Sequence, residues 1–232
     1  RTMFSLSARR LPTCETELVS CVLRYEDNTL TPTRPATVRP TVAQYSFGPC
    51  SGCSAPNGIT TSKNCSVPGR AAAETLARVG ERLRAGITTA DIDAWVREDT
   101  AARGGTPSQL GYQGFPAAVC TSRNAVVCHW IPSPRERLGD GDIVNVDVTT
   151  CLDGYHGDTS ATFFIGEVSA DARRIVDVAR RCRDAGVEAV RPGARLGDVA
   201  AAVQELAEAE GCSVVREFGG HGIGRSMHQA PH

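Results

Sequence analysis

No run of about 18 consecutive apolar residues occurs anywhere in this chain, which excludes a hydropathy-defined membrane helix. Its first residues, RTMFSLSARR, also lack the apolar core of a secretory signal. Nor is there an excess of charge of either sign. A formal net charge of -1 gives no electrostatic reason to expect nucleic acid or an anionic membrane as partner. Ten cysteines without an export signal read as free thiols rather than as a disulfide framework, and together these absences predict a cytoplasmic protein. Cys50 and Cys53, with Cys65 beyond them, resemble half a zinc site. No second CxxC or histidine pair completes it, so loop thiols without metal are the plainer reading.

Organisation changes near Val67. Residues 1–66 hold five of the ten cysteines and the Pro/Thr-rich run LTPTRPATVRP, with neither a helical nor a strand period. They predict a poorly ordered extension, followed by one domain over 67–232. From there GRAAAETLARVGERLRAG has helical spacing up to Gly86. Thr88 or Thr89 then caps a helix that Gly104 and Gly105 end, and short strands are expected between Gly111 and Cys128. Further on, a helix opens at Ser169 and runs to about Val190; after Gly193 another extends to Gly211.

These two stretches match each other. RAGITTADIDAWVREDTAARGG aligns with RPGARLGDVAAAVQELAEAEGC at a constant offset of 107, pairing Gly86 with Gly193, Asp91 with Asp198 and Val96 with Val203. Such a repeat predicts two similar halves about a pseudo-two-fold axis, with a site where their strands meet. Chance similarity between two Ala/Glu/Arg-rich helices is the competing explanation.

Between the repeats lies DIVNVDVTTCLDGYHGDTS, residues 142–160. Val144, Val146 and Val148 alternate with Asn145, Asp147 and Thr149, the period of a half-buried strand. Asp153-Gly154 suits the type I′ turn of a two-residue hairpin, since both positions need positive φ. That turn pairs residue 147 with residue 160 and leaves Asp158 diagonal to Asp147, roughly 7–8 Å away on the same face. Two acids so placed repel unless solvent or a cation separates them. A solvated sheet face and a divalent-metal site both satisfy the hairpin. Downstream, the glycines of GGHGIGR allow close backbone approach around His221, and His228 follows seven residues later, which favours histidines presented to a ligand.

The combination of Asp147 and Asp158 eleven apart, His221 in GGHGIGR, MHQAP, and His129 in VVCHWIP resembles the type I methionine aminopeptidases. The resemblance covers about residues 67–232. It implies an α+β pita-bread fold, two pseudo-symmetric halves around a central antiparallel sheet. It also implies a monomeric dinuclear metallopeptidase that removes the initiator methionine from nascent proteins, near the ribosome, when the next residue is small. Asp147, Asp158 and His221 fall on metal-ligand positions, for two divalent ions of Co, Mn, Fe or Zn. The family's two Glu ligands are expected beyond His232, so the 232-residue chain by itself is expected to be inactive. His129 falls on the position that meets the substrate nitrogen, and His228 on the one that stabilises the oxygen gaining charge. Tyr112, Phe115, Cys120 and Met227 match the methionine pocket, whose soft and aromatic walls suit a thioether.

The sequence departs from the family at Trp130, which stands for Gly, at Ala125, which stands for Glu, and at Met227-His228-Gln229, which stands for Phe-His-Glu. The Trp130 ring is expected to narrow the pocket mouth. The nearest alternative is a proline-specific pita-bread peptidase; the other is a binding protein of that fold without metal. Segments GYQGFP and VCH favour the methionine enzyme.

Overall fold

The structure, a computed structural model, describes residues 23–24 and 61–231, with side chains from residue 67 onward. The expectation for residues 1–66 therefore lies mostly outside the described residues. Chain order is β1 (Leu23–Arg24), α1 (Thr61–Arg82), α2 (Thr89–Ala102), β2 (Thr106–Pro107), β3 (Cys120–Arg123), β4 (Ile143–Leu152), β5 (Tyr155–Phe164), α3 (Ala170–Ala189), α4 (Leu196–Ala209) and β6 (Ser213–Val214). Two compact units result: residues 61–170 with 221–231, and residues 171–220 with β1. None of the described helices is long and apolar enough to cross a membrane.

The first unit is organised on β4. All its partners are antiparallel: β5 along one edge, and β2 followed by β3 along the other. Asp153 and Gly154 have φ of 51° and 76°, so the turn takes the two positive φ values that set the hairpin register. Asp147 lies opposite Ser160, and Thr149 opposite Asp158, as the spacing predicts. The alternation holds too: Val144, Val146 and Val148 are fully buried.

Helix α1 covers that apolar face. Ala72, Leu76 and Val79 recur at helical spacing and pack with the three valines, Ile92, Val96 and Phe163. Contact is close enough to require glycine. A Cβ on Gly157 of β5 would stand 2.1 Å from the Gly69 nitrogen, and one on Gly80 would stand 2.5 Å from the Phe163 ring. The helix begins at Thr61, earlier than the sequence pattern predicts, and continues through Pro68. Proline removes one main-chain donor, but the turn that follows it is pinned against β5 at Gly157.

Thr88 caps α2 reciprocally: its hydroxyl accepts from Asp91 N at 3.2 Å, and its own N–H donates to Asp91 Oδ2 at 2.7 Å. The strands expected between Gly111 and Cys128 reduce to β3. Positive φ at Gly111, Gln113 and Gly114 turns the chain there into a short 3-10 loop, Tyr112–Gly114, instead of extended backbone.

In the second unit, α3 and α4 bury Val178, Cys182, Val203 and Ala207 with Cys212. β6 pairs with β1, so two residues of the N-terminal stretch take part in a strand pair. The repeat is visible element by element. Adding 107 to the bounds of α2 and β2 gives those of α4 and β6. Gly86 and Gly193 share positive φ, 95° and 87°, and Gly104 and Gly211 do likewise at 74° and 69°.

Candidate metal centre

The polar face of β4 and β5 carries the site. Asp158 accepts a hydrogen bond from the Thr149 hydroxyl, 3.0 Å to Oδ1. Its other oxygen, Oδ2, lies 3.8 Å from His221 Nε2. His221 Nδ1 sits 3.1 Å from the Gly222 carbonyl, which can only accept; the proton therefore belongs on Nδ1. That tautomer leaves the Nε2 lone pair facing a carboxylate oxygen, an arrangement completed by a second proton or by a cation between them. A histidine whose far nitrogen is held by a carbonyl is a common setting for a metal ligand.

Electrostatics on this face oppose further negative charge. Burial, followed by the charge of Asp158, raises the Asp147 carboxyl well above the usual carboxylate range. Burial and then the same two acids, with Cys128 beside them, push the Cys120 thiol up. Burial and Asp147 do so for Cys128. Two carboxylates and an imidazole form a donor set suited to a divalent first-row metal. Among the described residues the three do not close into a complete cage, and no other group of three or more His, Cys, Asp or Glu does.

The glycine-rich turn brings in the second histidine. Gly222 and Gln229 exchange main-chain hydrogen bonds of 2.9 Å in both directions. A Cβ on Gly222 would stand 2.6 Å from the Ala230 oxygen, so the two strands of the turn can approach only through glycine. This sets the His221 and His228 rings edge to face at 4.2 Å between centroids. His228 Nδ1 lies 2.8 Å from the Tyr112 hydroxyl, which links the 3-10 loop to the turn. The start of β5 joins there also, through His156 N to Gly224 O at 2.8 Å.

Among the predicted residues, Asp147, Asp158, His221, His228, Tyr112 and Cys120 are thus brought together, Cys120 by pairing with Asp147 across β3 and β4. Met227 is buried within the turn. Phe115 is half-buried just after the 3-10 loop. His129 is an exposed residue in the loop after β3, at φ 57°, next to the Cys128 that senses Asp147. Trp130 has its main chain fixed to β3, with its carbonyl accepting from Thr121 N at 3.1 Å, while its side chain is 50% exposed. Cys120, Cys128, Cys151 and Cys212 are free thiols.

Three residues of the site escape sequence reasoning. Thr149 had a signal, its place in the polar alternation with Asp147. His156 had one as well, lying two residues before Asp158 on the same strand face; it bonds Ser108 at 2.8 Å, and burial lowers its basicity. Gln109, which donates to the Asp147 carbonyl at 2.9 Å, had none, because it sits in a segment without a period.

An antiparallel hairpin carrying two acids, with a histidine of the glycine-rich turn facing one of them and helices on its apolar face, is a site of the metal-binding class. Comparison with known proteins makes this specific. Residues 64–232 match the metallopeptidase family M24, and the chain belongs to that family. It is 48% identical over 163 residues to methionine aminopeptidase A of Synechocystis, covering 70% of this chain and 64% of that one. A solved methionine aminopeptidase from Rickettsia prowazekii matches with a TM-score of 0.70 and 42% identity, over 71% of this chain and 66% of the other. One from Thermotoga maritima matches with a TM-score of 0.73 and 32% identity, over 77% and 70%. The fold is therefore the α+β pita-bread fold of these proteins. The chain spans 64%, 63% and 62% of the length of three of the curated relatives it matches.

Proposed function

We propose that the protein is a methionine aminopeptidase that removes the initiator methionine from new polypeptides when the second residue is small. The observation that carries this reading is the Asp158–His221 pair, two electron-pair donors 3.8 Å apart on the face that also holds Asp147. Relatives of 48% identity named methionine aminopeptidase supply the substrate class. Asp147, Asp158 and His221 would be this chain's share of the ligands for two divalent ions of Mn, Fe, Co or Zn, which would supply an activated water and a polarised carbonyl.

The remaining steps fall to the chain's own side chains. With the Tyr112 hydroxyl donating to Nδ1, His228 carries its proton on Nε2 and can donate it to the oxygen that gains charge. His129, on its loop, would meet the scissile nitrogen. Cys120, Met227, Phe115 and Tyr112 would line the methionine pocket. Raised thiol basicity keeps Cys120 neutral, so the wall presents a soft, uncharged sulfur to a thioether. The substrate would be the amino terminus of a nascent chain in the cytoplasm, at or near the ribosome.

The test is a peptide assay on the protein at its natural length. Met-Ala-Ser should lose methionine in the presence of Mn or Co, chelator should stop it, and Met-Leu-Ser should be spared. Chelator-insensitive cleavage, or none with any of these metals, would overturn the reading.

A further inference from the structure

Gln109 stands where the outer edge of the sheet passes from β2 to β3. Ser108 still pairs with β4, its N–H donating to Thr149 O at 2.9 Å; the chain then leaves the sheet and returns at Cys120. The Gln109 side chain turns back into that corner. Nε2 donates to the main-chain oxygen of Asp147 at 2.9 Å and reaches the Cys120 sulfur at 3.8 Å. It thereby grips both members of one rung of the ladder, the rung that carries the Asp147 carboxylate.

The grip has a structural cost. Gln109 is 7% exposed, and its Oε1 is buried without a hydrogen-bond partner. Turning the amide over would not help, since Oε1 would then face the Asp147 carbonyl, acceptor against acceptor. An apolar side chain of this length would fill the corner with no orphaned oxygen. The geometry thus favours the donor at Asp147 over full satisfaction of the corner, a compromise of the kind found at functional or strained sites.

Resting on the metal reading above, we infer that Gln109 is a positioning residue for the metal centre: it fixes the Asp147–Cys120 rung so that the Asp147 carboxylate is presented in ligating position. Asp147 has a particular need for this. Its neighbour Asp158 is already steadied by the Thr149 hydroxyl and faces His221, and the rung that Gln109 grips is the one from which the Asp147 side chain projects.

The test compares Gln109→Met with Val79→Ala in the protein at its natural length. Val79 is a buried residue of α1 in the apolar core, so its truncation lowers stability without touching the polar face. Mn(II) affinity is measured by titration calorimetry and stability by thermal melting. Gln109→Met should weaken Mn binding about tenfold, the usual scale for loss of a group that orients a ligand, while Val79→Ala stays within about twofold of the parent. Gln109→Ala repeats the comparison if the methionine variant does not fold. Parent-like affinity in a folded Gln109 variant, with Mn bound by the parent, would overturn the inference alone. Absence of chelator-removable Mn from the parent would overturn the metal reading and the inference together.

Discussion

Thr149, and not Asp147, stands directly across the sheet from Asp158, and its hydroxyl donates to Oδ1 over 3.0 Å. The bond occupies one carboxylate oxygen and leaves Oδ2 turned to His221. Thr149→Val keeps the strand shape and removes the donor, so it should cost about 1.5 kcal/mol, the lower range for a hydrogen bond to a charged group. Thr149→Ser should recover most of it. Urea unfolding of the three proteins checks this; equal midpoints would show that the bond contributes nothing.

Asp158→Asn should separate charge from fold. The amide retains volume and relieves the repulsion with Asp147, so the metal-free variant should melt at or above the parent temperature. Stabilisation by added Mn should vanish, where a parent at a hundred times its Kd gains about 2.7 kcal/mol. Melting curves with and without Mn decide the point. An undiminished Mn shift in the variant would remove Asp158 from the metal shell.

Gly157, like Gly222 in the turn, is a steric requirement. Its missing side chain lets α1 approach until the Gly69 nitrogen occupies the space a methyl would need, 2.1 Å from an ideal Cβ. Because the obstacle is backbone, a rotamer change cannot relieve it. Gly157→Ala should therefore cost about 3 kcal/mol or more. A chemical melt within about 1 kcal/mol of the parent would mean that α1 can lift off β5 freely.

Asp142 gives the first unit an acid-sensitive joint. Burial raises its carboxyl, but bonds from Gly139 N at 2.7 Å, Asn124 Nδ2 at 2.8 Å and Arg123 at 3.0 Å outweigh this and hold it below the ordinary carboxylate range. A depressed folded value means stability that is full above the unfolded pKa of about 3.9 and is lost as pH falls through the folded value. Asp142→Asn should thus be about 2 kcal/mol less stable at neutral pH, with the gap closing below about pH 4. A gap independent of pH would assign the loss to packing.

How far the sequence could be read depended on the range of the signal. The β4–β5 hairpin was legible down to its register, because alternation and Asp153-Gly154 are local properties. The bounds of α2, α3 and α4 were legible to a residue or two for the same reason. The Asp158–His221 approach was not, since it joins residues 63 positions apart and only the resemblance linked them. Nor was Gln109, whose importance comes from a corner formed by three separate strands. The start of α1 was misread because residues before Val67 carry no helical period, whereas the helix starts at Thr61 and runs through Pro68 to pack Gly69 on β5.

The two repeats make a last prediction by transplant. Thr88 and Arg195 occupy equivalent N-cap positions, with nearly the same backbone: φ, ψ of -97°, 158° and -113°, 157°. Both are followed by an aspartate that accepts from the cap N–H, Asp91 at 2.7 Å and Asp198 at 2.8 Å. Only the first repeat has the return bond, from Asp91 N to the Thr88 hydroxyl at 3.2 Å, because a guanidinium has no acceptor to offer Asp198 N. Thr88→Ala should therefore destabilise the first unit by about 1 kcal/mol, and Arg195→Thr should stabilise α4 by a similar amount or somewhat less, given its exposure. Amide hydrogen exchange at the first turn of α4 reads the second effect locally, whatever the global melt does. Faster exchange in Arg195→Thr would show that Arg195 serves the helix start in another way, and that the repeats differ in more than this side chain.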